Sequence, residues 1–185
     1  MIESVALQSP SRLLEAVHFA AERHRYQRRK DHPASAYINH PIEVAQVLSE
    51  TGVRDEEVLL AALLHDTVED TNTSFGEIEA SFGSRVRGLV AEVTDDKSLP
   101  KAERKHLQLV HAPRASDGAK LIKLADKICN VRDLAQHPPA SWTTDRRLEY
   151  LLWASAVAAG CRGVHPPLDA LFDRVLAESR AAITH

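Results

Sequence analysis

Apolar residues recur along most of the chain at intervals of three and four positions, which is the period of one face of an α-helix. Gly, Pro and capping residues divide this pattern into separate segments. The pattern predicts helices at approximately 11–27, 41–52, 56–70, 75–82, 86–93, 101–110, 119–134, 142–159 and 168–182. No stretch alternates strictly between apolar and polar residues, as a half-buried strand does. We therefore expect an all-α protein, a single helical bundle of about eight to ten helices.

The length and composition are those of one globular domain. The chain has 185 residues, 44% of them hydrophobic, and contains no internal repeat or Gly/Ser-rich linker. We expect one domain over residues 1–185, with its core at about 12–182. The net charge of −3 and a pI near 6.4 give no overall basic surface, which argues against a long nucleic acid as partner. A small anionic ligand bound by local Lys and Arg side chains is compatible with this charge.

We expect a cytoplasmic location, because no targeting or membrane-spanning segment is recognisable in the sequence. Residues 1–4 are acidic in character and lead into no apolar segment, so we expect no secretory signal. The longest uncharged apolar stretch, 151–161, is too short to cross a bilayer, so we expect no membrane partner. Cys129 and Cys161 are outside any metal-binding spacing, and we expect both to be reduced and buried.

Residues 61–70 place four ionisable side chains within six positions at the end of an apolar helix. On a helical wheel His65, Asp66, Glu69 and Asp70 share one arc, opposite the apolar side chains. Three carboxylates on one arc repel one another, and near a helix C-terminus they also oppose the helix dipole. A bound divalent cation would remove both unfavourable interactions. The alternative is that these residues are solvated where the helix frays.

Two further residues are candidates to complete a metal site. His40 lies at the start of the second predicted helix, where a lone histidine is more often a capping or surface residue than a ligand. Asp126 shares the polar face of the 119–134 helix with other hydrophilic residues: Lys123, Lys127 and Asn130. Periodicity alone predicts that this face is solvated. Neither residue by itself identifies a metal site.

Basic residues occur in two segments, and each segment has both a structural and a ligand-binding interpretation. The triplet at 28–30 ends the first predicted helix, where positive charge is favourable without any ligand; the alternative is a phosphate-binding edge. Arg146 and Tyr150 lie four residues apart on one helix face. They are either a cation and a hydrogen-bond donor for phosphate, or an exposed charge beside the polar tip of a core aromatic residue.

Taken in order, His40, the pair His65-Asp66 and Asp126 form the H…HD…D pattern of the HD superfamily of metal-dependent phosphohydrolases, which this chain resembles. The neighbouring residues are similar to those of the hydrolase domain of RelA/SpoT homologues, and especially of the small stand-alone alarmone hydrolases. The similarity extends from about Leu13 into the last helix. The similar segments are 29–30, 37–41, 62–71 and 123–127 with Asn130.

The resemblance implies a helical domain that binds one Mn²⁺ ion, although mixed imidazole and carboxylate ligands do not exclude Zn²⁺ or Fe²⁺. The implied ligands are His40, His65, Asp66 and Asp126. It also implies removal of the 3′-diphosphate from (p)ppGpp, which yields pyrophosphate and GDP or GTP. Glu69 and Asp70 match the acidic pair of the family, which helps to orient and deprotonate the attacking water.

The implied partner is a small-molecule nucleotide, and six positions match residues that bind it in the family. They are Arg29 and Lys30 beside the guanine and phosphates, Asn130 near the ribose, and Lys101, Arg146 and Tyr150 on the phosphate side. Two positions depart from the family pattern. Ala36 stands in place of a proline before the tyrosine, and Asp133 stands where the long enzymes tend to have threonine near the base.

Two other functions stay open on the sequence. The same metal site would serve a phosphatase acting on another ribose-phosphate nucleotide such as NADPH, whose 2′-phosphate is also a ribose ester. A catalytically silent HD domain that binds a nucleotide for regulation is the second alternative, although every candidate ligand and both acidic residues are present. The sequence does not distinguish a monomer from a homo-oligomer.

Overall fold

A computed structural model describes residues 10–184, which contain ten α-helices and no strand. The helices are α1 (Pro10–Arg23), α2 (Asn39–Glu50), α3 (Glu56–Leu64), α4 (Thr67–Asp70), α5 (Phe75–Phe82), α6 (Ser84–Val93), α7 (Lys101–His111), α8 (Asp117–Gln136), α9 (Thr144–Cys161) and α10 (Pro166–Thr184). A 3₁₀ turn, Ala112–Arg114, joins α7 to α8. The predicted all-α bundle is confirmed. Residues 1–4, on which the expectation about a secretory signal depends, lie outside the described residues.

The predicted helix at 56–70 is two helices in the structure. α3 ends at Leu64 and α4 begins at Thr67, so His65 and Asp66 lie at the junction. The Thr67 hydroxyl donates a hydrogen bond of 2.6 Å to the Leu64 carbonyl oxygen, an acceptor that a continuous helix uses for its backbone. The prediction of one continuous helix is therefore wrong at the point where two candidate ligands lie.

The first helix is also shorter than predicted, because the chain turns at 24–27 after α1 has ended. The backbone N–H of Gln27 donates to the carbonyl oxygen of His24 over 2.9 Å. The carbonyl oxygen of Gln27 in turn accepts from the backbone N–H of Tyr37 over 3.2 Å. This turn holds the end of α1 against the loop that leads into α2.

α3 and α8 form the centre of the molecule. All residues from 58 to 64 in α3 are buried, and α8 packs against α2, α3, α6, α9 and α10. One hydrophobic cluster extends from Ala16 in α1 to Ile183 in α10. Burial of this apolar surface is the main stabilising contribution to the fold. Side chains that project from α3 and α8 are therefore attached to the best-packed part of the fold.

The polar face of α8 is covered by protein, contrary to the prediction from periodicity. Lys123 and Lys127 are only 6% and 5% exposed. The Asp126 carboxylate contacts both His40 and Lys127, and 16% of its side chain is exposed. Periodicity shows which residues share a face of α8, but α2 packs on this helix and brings His40 over that face.

Both cysteines lie in the interior of the fold. Cys129 and Cys161 are free and buried, as predicted. Burial raises the pKa of both thiols, which keeps them in the less reactive protonated form. Among the helices of residues 10–184, none is both long and apolar enough to cross a bilayer.

Candidate metal centre

Side chains from three separate parts of the fold meet at one point. His40 comes from the first turn of α2, His65 and Asp66 from the junction of α3 and α4, and Asp126 from the middle of α8. Nε2 of His40 lies 3.0 Å from Oδ1 of Asp126 and 4.0 Å from Oδ2 of Asp66. Nε2 of His65 lies 3.1 Å from Oδ2 of Asp66 and 4.0 Å from Oδ1 of Asp126. The four side chains thus converge, as the sequence predicts.

The spacing of these atoms suits a metal ion. Two ligand atoms that are each about 2.1 Å from a shared cation lie about 3.0 Å apart at right angles and about 4.2 Å apart when opposite. The four nitrogen-to-oxygen separations range from 3.0 to 4.0 Å. One ligand atom from each of His40, His65 and Asp126 lies within 4.8 Å of the other two. This cluster could hold a metal ion.

The hydrogen bonding of His65 orients its Nε2 into the cluster. Its Nδ1 donates to the carbonyl oxygen of Ala62 over 2.8 Å, which leaves Nε2 without a proton in the neutral ring. Nε2 is buried and makes no hydrogen bond, although Oδ2 of Asp66 is 3.1 Å away. At this distance a positive charge must lie between the two atoms, either a proton on Nε2 or a bound metal ion. This arrangement is typical of a metal-ligating histidine.

The charges of the cluster influence one another strongly. Burial alone would raise the pKa of Asp126, but Lys127 and His40 hold that pKa well below its usual range. Burial is likewise outweighed at Asp66, where His65 and His40 lower the pKa. At His65 burial lowers the pKa, but the two aspartates raise it to about 9. The carboxylates are therefore ionised at neutral pH, and a metal must displace a proton from His65.

Two residues that the sequence analysis did not assign hold these ligands in place. The Tyr37 hydroxyl donates to Oδ2 of Asp66 over 2.5 Å, and Nζ of Lys127 donates to Oδ2 of Asp126 over 2.8 Å. Outer contacts of this kind orient metal ligands. The available signal in the sequence was the position of both residues inside segments that resemble the family, at 37–41 and 123–127.

Glu69 and Asp70 follow the His65-Asp66 junction by about one helical turn. Oε2 of Glu69 accepts a hydrogen bond of 3.0 Å from the backbone N–H of Asp95. Burial raises the pKa of Glu69 to about 6, so this carboxyl group can exchange a proton near neutral pH. Asp70 is bound at both oxygens, because Gln27 donates to Oδ2 over 2.8 Å and Lys97 pairs with Oδ1.

Two cavities meet at these residues. The smaller, of about 150 Å³, contains the four candidate ligands together with Glu69 and Lys123. The larger, of about 670 Å³, is lined mainly by residues 27–43, α8 and the segment that leads into α9. Tyr37, His40 and Asn130 line both cavities. The larger cavity has room for a nucleotide, and the shared residues connect it to the metal cluster.

Four of the six predicted nucleotide-binding residues line the larger cavity: Arg29, Lys30, Asn130 and Tyr150. Arg29 forms an ion pair with Asp133 and lies 5.8 Å from the centre of the Tyr37 ring. Asn130 donates to Oδ1 of Asp126 over 2.5 Å, at the boundary of the two cavities. Burial raises the pKa of Tyr150 to about 12, so its phenol stays protonated at neutral pH.

The other two predicted residues, Lys101 and Arg146, do not line either cavity. Lys101 is exposed at the start of α7. Arg146 pairs with Glu149 on the same helix, and its guanidinium lies 5.2 Å from the centre of the Trp142 ring. Phosphate binding by these two residues stays a prediction.

Comparison with known protein families agrees with this geometry. Residues 16–156 match the model of the HD domain family. The chain belongs to the HD domain family. The match to the HD domain runs from α1 into α9 and includes all four candidate ligands.

Relatives of this HD-domain protein have names that state an activity. The chain is 55% identical over 172 residues to guanosine-3′,5′-bis(diphosphate) 3′-pyrophosphohydrolase MESH1 of Xenopus tropicalis, covering 92% of this chain and 96% of that protein. It is 56% identical over 160 residues to the Homo sapiens protein of the same name, covering 86% and 89% of the two chains. A guanosine-3′,5′-bis(diphosphate) 3′-pyrophosphohydrolase of Aquifex aeolicus is 41% identical over 130 residues, which are 69% of this chain and 18% of that protein.

Solved structures show the same HD-domain fold. One, described as a metazoan ortholog of SpoT that hydrolyzes ppGpp, superposes with a TM-score of 0.89 at 48% identity, covering 94% of this chain and 98% of that one. A second, from Listeria monocytogenes, has a TM-score of 0.64 at 29% identity, covering 77% of this chain and 99% of that one. The fold of the first neighbour therefore extends over nearly the whole of this chain.

Proposed function

We propose that this HD-domain protein hydrolyses the 3′-diphosphate of (p)ppGpp, releasing pyrophosphate and leaving GDP or GTP. The observation that carries the proposal is the junction of two cavities, one of nucleotide size with basic residues and one that contains the candidate metal ligands. Relatives that are 55% and 56% identical have this activity in their names, and the identity covers most of their length.

One divalent ion, which we propose to be Mn²⁺, binds to His40, His65, Asp66 and Asp126. When bound, the ion polarises a phosphoryl oxygen and lowers the pKa of the attacking water. The orientation of Nε2 of His65 into the cluster and the ionised carboxylates support this assignment. Zn²⁺ and Fe²⁺ also suit such ligands, so metal analysis of the purified protein identifies the ion.

Glu69 and Asp70 orient and deprotonate the water. With a pKa of about 6, Glu69 is ionised at neutral pH and accepts a proton as the water oxygen bonds to phosphorus. The bond from that phosphorus to O3′ of the ribose breaks, and O3′ takes up a proton. Lys123 and Lys127, which line the same small cavity, offset the negative charge of the phosphoryl oxygens.

The nucleoside part occupies the larger cavity. Arg29, held by Asp133, offers a planar cation that can stack on guanine. Lys30 and Tyr150 supply a charge and a donor for the phosphates, and Asn130 lies where the ribose enters the metal cavity.

Lys101 and Arg146 are proposed to add positive charge on the phosphate side of the site. Burial, Arg146 and Lys101 together lower the pKa of Lys105. Lys105 in α7 is therefore close enough to both of these cations to be repelled by each. A phosphate group among them would relieve this repulsion.

Turnover by the purified protein, stripped of metal and reloaded with Mn²⁺, tests the proposal directly. We expect pyrophosphate and GDP in equal amounts from ppGpp, and no product without metal. NADPH is assayed in parallel. Release of orthophosphate from NADPH without pyrophosphate from ppGpp would replace the proposal by a nucleotide phosphatase. Binding of ppGpp without product would indicate a catalytically silent domain.

A further inference from the structure

The turn that follows α1 reaches the acidic pair through two hydrogen bonds. Nδ1 of His24 lies 2.6 Å from Oε1 of Gln27, and Nε2 of Gln27 donates to Oδ2 of Asp70 over 2.8 Å. We call His24, Gln27 and Asp70 the relay. His24 is 2% exposed and lines neither cavity, whereas Gln27 and Asp70 line the larger one. The relay therefore joins a buried imidazole to a carboxylate of the site.

Each hydrogen bond of the relay has one direction. The Gln27 side-chain oxygen can only accept, so Nδ1 of His24 is the donor and carries the ring proton. The other ring nitrogen, Nε2, is buried without a partner, which a lone pair tolerates better than an N–H group does. Burial lowers the pKa of His24 and keeps the ring neutral. The amide orientation has an independent reason, because the Asp70 carboxylate oxygen accepts and Gln27 must therefore present its NH₂ group to it.

Neighbouring contacts hold the relay in place. The backbone of Gln27 is bonded to both His24 and Tyr37, and the His24 ring lies against the Tyr37 ring with centroids 4.9 Å apart. Lys97 pairs with the other oxygen of Asp70, but 48% of its side chain is exposed. An exposed ion pair restrains its partner only weakly. Gln27 is therefore the contact that defines the orientation of the Asp70 carboxylate.

We propose that His24 and Gln27 are positioning residues for the hydrolysis. His24 fixes the orientation of the Gln27 amide, and this amide fixes the Asp70 carboxylate toward the attacking water. The kinetic part of the inference rests on the proposed function, because Asp70 acts on the water there. Since His24 is closed off from both cavities, it acts through Gln27 and not by contact with the substrate.

The kinetic test replaces the buried donor by an apolar side chain. His24→Leu in the Mn²⁺-loaded enzyme should lower kcat for ppGpp about tenfold or more, since small displacements of a catalytic group slow reactions steeply. KM and metal content should stay near those of the wild type. His24→Asn, whose amide N–H can replace the Nδ1 donor, should retain most of kcat. His18→Leu makes the same change at an exposed position of α1 and should have no effect.

A double substitution tests whether His24 acts only through Gln27. In a Gln27→Leu background, His24→Leu should cause no further loss of kcat, because residues of one network are not additive. If the losses of kcat in the two single variants multiply in the double variant, the relay is wrong. The relay is also wrong if His24→Leu leaves kcat unchanged, or if His24→Asn is no more active than His24→Leu.

A measurement that does not depend on turnover tests the relay independently of the proposed function. Long-range ¹H–¹⁵N spectra of the wild-type protein should show a neutral His24 ring that is protonated at Nδ1. Protonation at Nε2 would overturn the relay whatever the substrate. If the spectra show the expected tautomer but the wild type releases no pyrophosphate from ppGpp, the proposed function fails and the relay geometry is supported.

Discussion

Oδ1 of Asp126 lies 3.0 Å from Nε2 of His40, although 86 positions separate the two residues in the chain. The contact joins the middle of α8 to the start of α2, two helices that pack on each other. Oδ2 of the same carboxylate binds Lys127, so both oxygens are fixed by protein contacts. A site built in this way needs little reorganisation to bind a metal. Its affinity should depend on the residues behind the ligands as well as on the ligands.

Replacing Asp66 by alanine should abolish stoichiometric metal binding. The change removes a carboxylate oxygen that lies 3.1 Å from His65 and 4.0 Å from His40. Because a metal that binds only the folded state stabilises it, Mn²⁺ should raise the Tm of the wild type and not that of the variant. Metal content after gel filtration is the direct measurement, with Asp173→Ala on the surface of α10 as control. One ion per chain in Asp66→Ala would contradict the assignment.

Removing the Tyr37 hydroxyl should weaken metal binding without removing a ligand. Tyr37→Phe deletes the hydrogen bond of 2.5 Å to Oδ2 of Asp66. Loss of such an outer contact typically costs about 10- to 100-fold in metal affinity, and we expect a loss in that range. Competition for Mn²⁺ with a chelator of known affinity measures it. Tyr26→Phe, at an exposed tyrosine, is the matched control. Equal affinities of the two variants would show that Tyr37 does not orient Asp66.

Glu69→Gln should separate metal binding from turnover. The amide keeps the size of the side chain but cannot accept the proton of the water, so kcat should fall about 10²- to 10⁴-fold. Metal content should not change, because Glu69 is not among the candidate ligands. Steady-state pyrophosphate release, with metal analysis of the same sample, checks both expectations. Turnover at the wild-type rate would exclude Glu69 as the base.

The pH dependence of turnover should report the ionisation of Glu69. Burial raises its pKa from 4.5 to about 6 in the metal-free protein, so the base is lost by protonation as the pH falls through this value. A bound divalent cation favours the ionised form. The acid limb of kcat in the Mn²⁺-loaded enzyme should thus have its midpoint at or below about 6. If kcat keeps rising steeply above neutral pH, the acid limb reports the ionisation of a group other than Glu69.

Asp133→Asn should raise KM for ppGpp and leave kcat nearly unchanged. The Asp133 carboxylate pairs with Arg29, and the variant removes the charge that holds this guanidinium in the larger cavity. A less ordered Arg29 weakens ground-state and transition-state binding alike, so we expect KM to rise about three- to tenfold. Glu178→Gln, a matched change on α10 outside both cavities, should have no effect. An unchanged KM would mean that Arg29 needs no such support.

The sequence by itself determined the fold class and the candidate ligands. Each helix must bury an apolar face, so its period is present in the chain before any packing is known. The charged residues after position 64 stand out because they end an apolar helix with carboxylates whose mutual repulsion a cation would relieve. The order of His40, His65-Asp66 and Asp126 then gave the resemblance to HD-domain hydrolases. These features depend on local pattern and on motif spacing, which a sequence contains.

Only the tertiary structure decided what surrounds those residues. Lys123 and Lys127 share a polar face with Asp126, and whether that face meets water or protein depends on how other helices pack on α8. The break at His65-Asp66 depends on a side-chain hydrogen bond that competes with the helix. Gln27 meets Asp70 across 43 positions of sequence. Such contacts are set by the relative placement of whole helices, and no local pattern of residues specifies that placement.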